Sequence, residues 1–163
     1  LNPIFDKIKD NFRDFSDTPD VRNGFLAAKW CLENNLYQQS ITILQENVVT
    51  FICQNNQIDS KDKQMRELVN KAFNILEYKR EESEWAFSSL LSEESKDKQK
   101  AIIRQLLTDD YLIQLTPIFT RCTNIRNDLN HSGIVANPCK TSKLKEGVKA
   151  CISEVHKIIA KQF

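Results

Sequence analysis

The chain has 163 residues, enough for one domain of ordinary size with a hydrophobic core. Its residues are 40% hydrophobic and 28% charged, with only three glycines and four prolines. This composition predicts an all-α protein, because a sheet protein needs more turn residues. The net charge of +1 gives no global attraction to nucleic acid. We predict a single domain over residues 1–163, and the first residue, Leu1, is compatible with excision from a longer chain.

The sequence carries no membrane or metal signature. No stretch approaches the roughly 18 apolar residues of a membrane span, and the start LNPIFDKIKDNF lacks the apolar run of a signal peptide. Five cysteines are widely spaced without a CxxC pair, which argues against zinc. We expect no metal, no cofactor and no membrane partner. Free cysteines among apolar neighbours suit a reducing environment, so we predict a cytoplasmic location.

Apolar side chains recur at helical spacing along the first half of the chain. A first helix is predicted over residues 4–15, and the following SDTPD places Thr18 and Pro19 where they would cap and open the next helix. Residues 19–35 and 36–53 then form two helices or one bent helix. After a polar gap, a further helix is predicted around residues 65–76. The apolar stripe expected on residues 36–53 is Ile41, Leu44, Val48, Phe51 and Ile52.

The second half contains two clearer helices after a mixed stretch. Residues 77–100 combine charge with aromatic side chains, which suggests a short helix or an irregular excursion. Thr116 and Pro117 predict the start of a helix that Gly133 would end. A last helix follows Thr141, and its six nearby lysines indicate a solvated face or, as the alternative, a contact with an RNA backbone. The expected architecture is a bundle of five to seven helices.

The segment RNDLNH, from Arg126 to His131, carries the chemistry. Apolar residues 118, 122, 125 and 129 form one buried stripe, and at about 100° per residue Arg126 falls about 70° to one side of it. Asn127 and His131 lie roughly on the opposite face. A histidine in the last turn of a helix is also favoured by the helix dipole, so an ordinary structural role is the alternative.

These residue types suffice for RNA cleavage without a metal. Histidine can take and give a proton near neutral pH, and arginine can hold two phosphate oxygens. The two side chains start about 140° apart around the helix, so a single helix flanks a phosphate poorly. A two-fold dimer that apposes this helix with its copy would bring both pairs to one cleft. The segment therefore predicts a homodimer.

RNDLNH resembles the signature of HEPN domains, small helical domains many of which are metal-independent ribonucleases that act as dimers. The stretch KWCLENNLYQQSITILQENVV, with Trp30, Gln39, Thr42 and Glu46, is similar to the early helices of HEPN domains in CRISPR-associated CARF-HEPN ancillary ribonucleases of type III systems. The resemblance covers about residues 19 to 135. It implies a HEPN-like bundle and a single-stranded RNA substrate.

Matched residue by residue, the resemblance makes Arg126 the phosphate-binding residue and His131 the proton-transfer residue. Asn127 would support the site by orienting the imidazole four residues on. Glu46 is a further supporting candidate, although a glutamate on a polar helix face is more often solvated. Cyclic oligoadenylate, the ligand of the CARF domain, would act only through a sensor domain that these residues do not contain.

Two other functions fit the same sequence. The first is a HEPN toxin ribonuclease paired with a nucleotidyltransferase antitoxin, which keeps the chemistry and changes the setting. The second is a catalytically silent helical dimerisation module in which Arg126 and His131 fill an interface. The near-neutral charge favours the silent module, since a ribonuclease that binds long RNA usually presents more positive charge.

Overall fold

The computed structural model describes residues 10, 13–15, 20–130 and 141–160. Within these ranges the chain is helical and contains no β-strand, which confirms the all-α prediction. The six α-helices described are within the predicted five to seven, while the helix predicted over residues 4–15 lies almost wholly outside the described residues. A short 3-10 helix, Glu82–Glu84, separates α3 from α4. The helices are α1 Val21–Glu33, α2 Tyr37–Asn55, α3 Lys63–Tyr78, α4 Glu93–Leu106, α5 Asp110–Asn130 and α6 Thr141–Ile159.

Helix α2 lies at the centre and packs against α1, α3, α5 and α6. The apolar stripe predicted on this helix is confirmed, since all five of its side chains are buried: Ile41, Leu44, Val48, Phe51 and Ile52. Full burial of one such side chain contributes about 1.5–3 kcal/mol. Apolar residues of α1, α3, α5 and α6, together with Leu106 of α4, complete the same core.

The break between α1 and α2 is set by asparagines. Asn35 takes a left-handed backbone conformation with φ 59°, which asparagine tolerates better than most residues. Asn34 Nδ2 donates to the Trp30 carbonyl at 2.8 Å, and Leu36 N donates to the Cys31 carbonyl at 2.8 Å. These bonds satisfy the last carbonyls of α1. The alternative of one bent helix is therefore wrong. The start of α1 is also two residues later than Pro19, because Asp20 caps it by accepting from Asn23 N at 2.7 Å.

Helices α1 and α2 approach closely at a glycine. A Cβ at Gly24 would lie 2.0 Å from Oδ1 of Asn47. The buried Asn47 amide instead occupies that space and donates to the Val21 carbonyl at 2.8 Å. Gly24 is thus required by the close contact between the two helices.

Of the mixed segment 77–100, residues 79–92 take the irregular path that was one of the two predicted alternatives, with one short 3-10 helix, while residues 93–100 belong to α4. Lys79 ends α3 in a left-handed conformation with φ 50°. The segment is then held against its neighbours by Glu82, which accepts two bonds from Arg104 of α4, and by Phe87, whose ring lies 4.3 Å from Lys71 Nζ.

Helix α5 begins at Asp110, not at the predicted Pro117, which lies inside it. Asp109 provides the cap instead, because its Oδ1 accepts from Leu112 N at 3.0 Å. Its other oxygen accepts from Asn55 Nδ2 at 2.8 Å and from Asn56 Nδ2. Buried residues precede and follow the proline, so packing keeps the helix continuous through a residue that usually starts or interrupts one.

The second half of α5 packs on α6. A Cβ at Gly147 would lie 3.2 Å from Cδ1 of Ile125, so the two helices are close here. Cys122 and Cys151 are buried and hydrogen-bonded between these helices; that bond raises the pKa of the Cys122 thiol and lowers the pKa of Cys151. Four of the five cysteines are buried free thiols, as predicted, and Cys139 lies outside the described residues.

Candidate active site

Arg126 borders a polar cleft formed by three helices. The cleft has a volume of about 300 Å³ and opens between α2, α3 and α5. Because these helices come from separate parts of the chain, the cleft exists only in the folded protein. Its volume is at the lower end of the range for small-ligand sites, about 300–1,000 Å³.

The Arg126 side chain is half-buried, and no carboxylate among the described residues lies within ion-pairing distance of it. Three other arginines of the chain differ in this respect. Arg66 pairs with Glu46, Arg104 with Glu82 and Arg121 with Glu154. Within the part of the chain that the structure describes, the Arg126 guanidinium beside the cleft therefore has no carboxylate partner.

The remaining predicted site residues fall in different places. Asn127 is exposed, as its position opposite the apolar stripe requires. Glu46 lines the same cleft as Arg126, but its carboxylate is bound to Arg66 at 2.6 Å. The guanidinium of Arg66 also donates to the hydroxyl of Thr50 at 2.9 Å. His131 lies outside the described residues, so its distance from Arg126 remains a prediction.

The end of α5 is tied to the start of α2 beyond the cleft. Gln38 Nε2 donates to Asn130 Oδ1 at 2.8 Å, a contact between residues far apart in the sequence. Both side chains are exposed, so this bond contributes little stability. It connects the last described turn of α5 to the first turn of α2.

Gln45 is a cleft residue that sequence reasoning missed. Its side chain is only 3% exposed, and Nε2 donates to Thr123 Oγ1 at 2.8 Å. The Thr123 hydroxyl in turn donates to the Phe119 carbonyl at 3.1 Å, so it can only accept from Gln45. Oε1 of Gln45 has no hydrogen-bond partner among the described residues. A signal was present in the sequence, since this glutamine interrupts the apolar stripe of α2.

The rim of the cleft combines amides, carboxylate and an aromatic ring. Asn70 and Asn74 of α3 and Asn124 of α5 are exposed at its edge. Tyr78, at the end of α3, is 64% exposed, and the guanidinium of Arg80 lies 5.5 Å from its ring centroid. Glu77 adds a negative charge to the same edge. The cleft is thus suited to a ligand with polar edges and a flat face.

A second, larger groove lies between α1 and α6, on a different set of residues. It has a volume of about 690 Å³ and an apolar floor that includes Phe25 and Ile152. Lys29, Lys145 and Lys149 are exposed along it. Two of the last-helix lysines therefore border an amphipathic groove, separate from the cleft at Arg126.

Comparison with known proteins adds no relationship. No family model matches the chain. No curated protein and no solved structure gives a significant match. None of the described helices is long and apolar enough to cross a membrane. Within the same residues, no three side chains of histidine, cysteine, aspartate or glutamate are grouped as metal ligands would be.

Proposed function

We propose that the chain is a metal-independent endoribonuclease domain of the HEPN type that cleaves single-stranded RNA, in the setting of a prokaryotic type III CRISPR-linked antiviral system. The observation that carries the proposal is Arg126, a half-buried arginine without a carboxylate partner among the described residues, at the edge of a polar cleft. The RNDLNH segment supplies the residue types that the reaction needs.

The position of Arg126 favours anion binding. A partly buried guanidinium loses some hydration and gains most from a ligand that accepts two of its N–H groups, as a phosphate does. An arginine already bound to a glutamate would have to break that pair first. Arg126 meets no such competition from the described residues, whereas Arg121, five residues earlier on α5, is held by Glu154 at 2.7 Å.

In the proposed reaction the ribose 2′-hydroxyl loses its proton and attacks the adjacent phosphorus. The bond from phosphorus to the 5′-oxygen breaks, that oxygen gains a proton, and the upstream strand ends in a cyclic phosphate. His131 transfers protons, and Arg126 stabilises the charge that grows on the phosphoryl oxygens. Asn127, exposed one residue after Arg126, orients the imidazole.

A homodimer completes the site in this proposal. The cleft lies on the side of α5 that faces α2 and α3, while Asn127 is exposed on another side. A two-fold dimer that apposes α5 with its copy would bring both arginine–histidine pairs to one shared cleft. Light scattering at micromolar concentration should therefore give twice the monomer mass, and a monomer would overturn the composite site.

The test of activity is cleavage of a labelled single-stranded RNA in excess EDTA. His131→Ala should lower the rate by about 10²–10⁴-fold, the usual contribution of a general acid-base group, and Arg126→Ala should also remove most activity. The chain offers matched controls. His156 is the other histidine, and Arg121 is another arginine on α5; neither lines the cleft, so alanine at either position should leave the rate nearly unchanged.

Three results would separate the candidate functions. A cyclic phosphate product that disappears in His131→Ala supports the ribonuclease. Equal cleavage by wild type and His131→Ala would refute this site. A confirmed dimer that cleaves no RNA would favour the silent dimerisation module, for which both residues should matter to association instead.

A further inference from the structure

The unpaired oxygen of Gln45 is the feature of the cleft that folding alone does not explain. A buried acceptor without a donor destabilises the folded state, and native proteins contain few of them. The side chain is 3% exposed and borders the cleft, so the unpaired oxygen belongs to a residue next to the space that a ligand would fill. A methionine would fill the same volume without this loss.

The orientation of the Gln45 amide is fixed by its neighbours. With Nε2 toward Thr123, two hydrogen bonds form, because the threonine hydroxyl accepts from Gln45 and donates to the Phe119 carbonyl. With the amide reversed, the hydroxyl could donate to only one of the two oxygens. With Nε2 held by Thr123, the unpaired atom of this cleft-lining side chain is therefore an acceptor.

The rim supplies the other element of a base-binding site. Tyr78 is an aromatic residue that is 64% exposed at the edge of a polar cleft. Bases stack on such rings in proteins that bind single-stranded nucleic acid. Arg126 lies on the same cleft and would hold a phosphate next to the base.

We propose that the cleft between α2, α3 and α5 binds the nucleobase of the RNA substrate, with Gln45 Oε1 accepting an N–H of the base edge and Tyr78 stacking on its face. The proposal rests on the proposed ribonuclease function for the identity of the ligand. It adds the prediction that the protein distinguishes bases with an edge N–H donor from bases without one.

The test measures binding apart from cleavage. The probes are fluorescein-labelled 2′-fluoro oligonucleotides, which lack the attacking hydroxyl and cannot be cleaved by this route. Oligouridine is compared with its N3-methyl form, and oligoadenosine with its N6,N6-dimethyl form; both modified bases keep the ring and lose every edge N–H donor. Wild type should bind the unmodified member of at least one pair about tenfold more tightly, the effect of one unmade hydrogen bond.

The decisive variant is Gln45→Met. It should bind the modified and unmodified oligonucleotides equally, while its urea unfolding is unchanged or shifted to higher stability. Gln99, the other buried glutamine among the described residues, does not line the cleft. Gln99→Met should keep the discrimination of wild type. Tyr78→Ala should weaken binding of modified and unmodified oligonucleotides alike.

The outcomes distinguish this inference from the ribonuclease proposal. Equal binding of both members in both pairs by wild type, no binding at all, or retained discrimination in Gln45→Met would each overturn the base site. Cleavage that depends on His131 without any effect of base methylation would overturn only the base site. Discrimination that depends on Gln45 in a protein that cleaves no RNA would support the base site and refute the ribonuclease.

Discussion

Asp109 anchors the helix that carries Arg126, and its removal should have a large effect on stability. Asp109→Ala deletes the N-cap bond to Leu112 N, which typically contributes about 1 kcal/mol. It also deletes the oxygen that accepts from Asn55 and Asn56. Hydrogen bonds to a charged group contribute about 1.5–3 kcal/mol, but both asparagines lie near the end of α2 and can bind water instead. We expect a total loss of about 2–4 kcal/mol.

Urea unfolding followed by circular dichroism measures this loss, provided that the slope with denaturant stays constant. Asp109→Asn separates the two contributions, because it keeps an oxygen for Leu112 N and places an NH₂ group against the asparagine donors. It should lose an intermediate amount of stability. Asp110→Ala is the matched control, since Asp110 is exposed in the first turn and should contribute about 0.3–1 kcal/mol through the helix dipole. The reasoning fails if Asp109→Ala and Asp110→Ala differ by less than about 0.5 kcal/mol, the usual scatter of surface substitutions.

Two further predictions concern packing and pH. Gly24→Ala should destabilise the protein by about 1–3 kcal/mol, because the new Cβ would displace the Asn47 amide. Gly147→Ala should be nearly neutral, since its Cβ meets only the end of an isoleucine side chain. Thermal melts of both variants test this contrast. The hydrogen bond from Arg104 holds the pKa of Glu82 below its usual 4.5. The pair therefore stabilises the folded state at pH values above 4.5, and this stabilisation is lost as the pH falls through the lowered pKa. The difference in melting temperature between wild type and Glu82→Gln should therefore be present at pH 7 and fade below pH 4.5, and a difference independent of pH would contradict the assignment.

The buried stripes were predictable because each depends on one helix alone. Ile41, Leu44 and Val48 recur at the spacing of an α-helix, and all three are buried against other helices. The same reasoning placed Asn127 away from the apolar stripe of its helix, and it is exposed. Periodicity identifies the face of a helix that is buried, whatever element covers it.

The start of α5 was mispredicted because a local signal competed with packing. Thr116 and Pro117 have the pattern of a helix start. Proline has no backbone N–H, and in the first turn of a helix an N–H would have no partner within the helix anyway. The buried residues Leu112 and Leu115 lie before the proline, however, and Ile118 follows it. Burial on both sides favours one continuous helix over a break, and the hydroxyl of Thr116 donates to the Leu112 carbonyl at 2.8 Å within it.

The cleft could not be derived from the sequence, because its residues are remote from one another. Gln45, Tyr78 and Arg126 belong to three helices, and helical periodicity does not determine which helices become neighbours. The glutamine within an apolar stripe was the one local indication, since a buried amide needs partners. Its meaning depends on Thr123, which satisfies one end of the amide and leaves the other unpaired.

An arginine that binds a phosphate must be held in place without being neutralised, and α5 meets both conditions. Its start is anchored by Asp109, and its second half packs against α6 near Ile125 and Gly147. None of these contacts involves the guanidinium of Arg126. Because the helix is ordered during folding, a phosphate at the proposed site would have to order only one side chain. The free charge and the fixed backbone together are what a preorganised anion site requires.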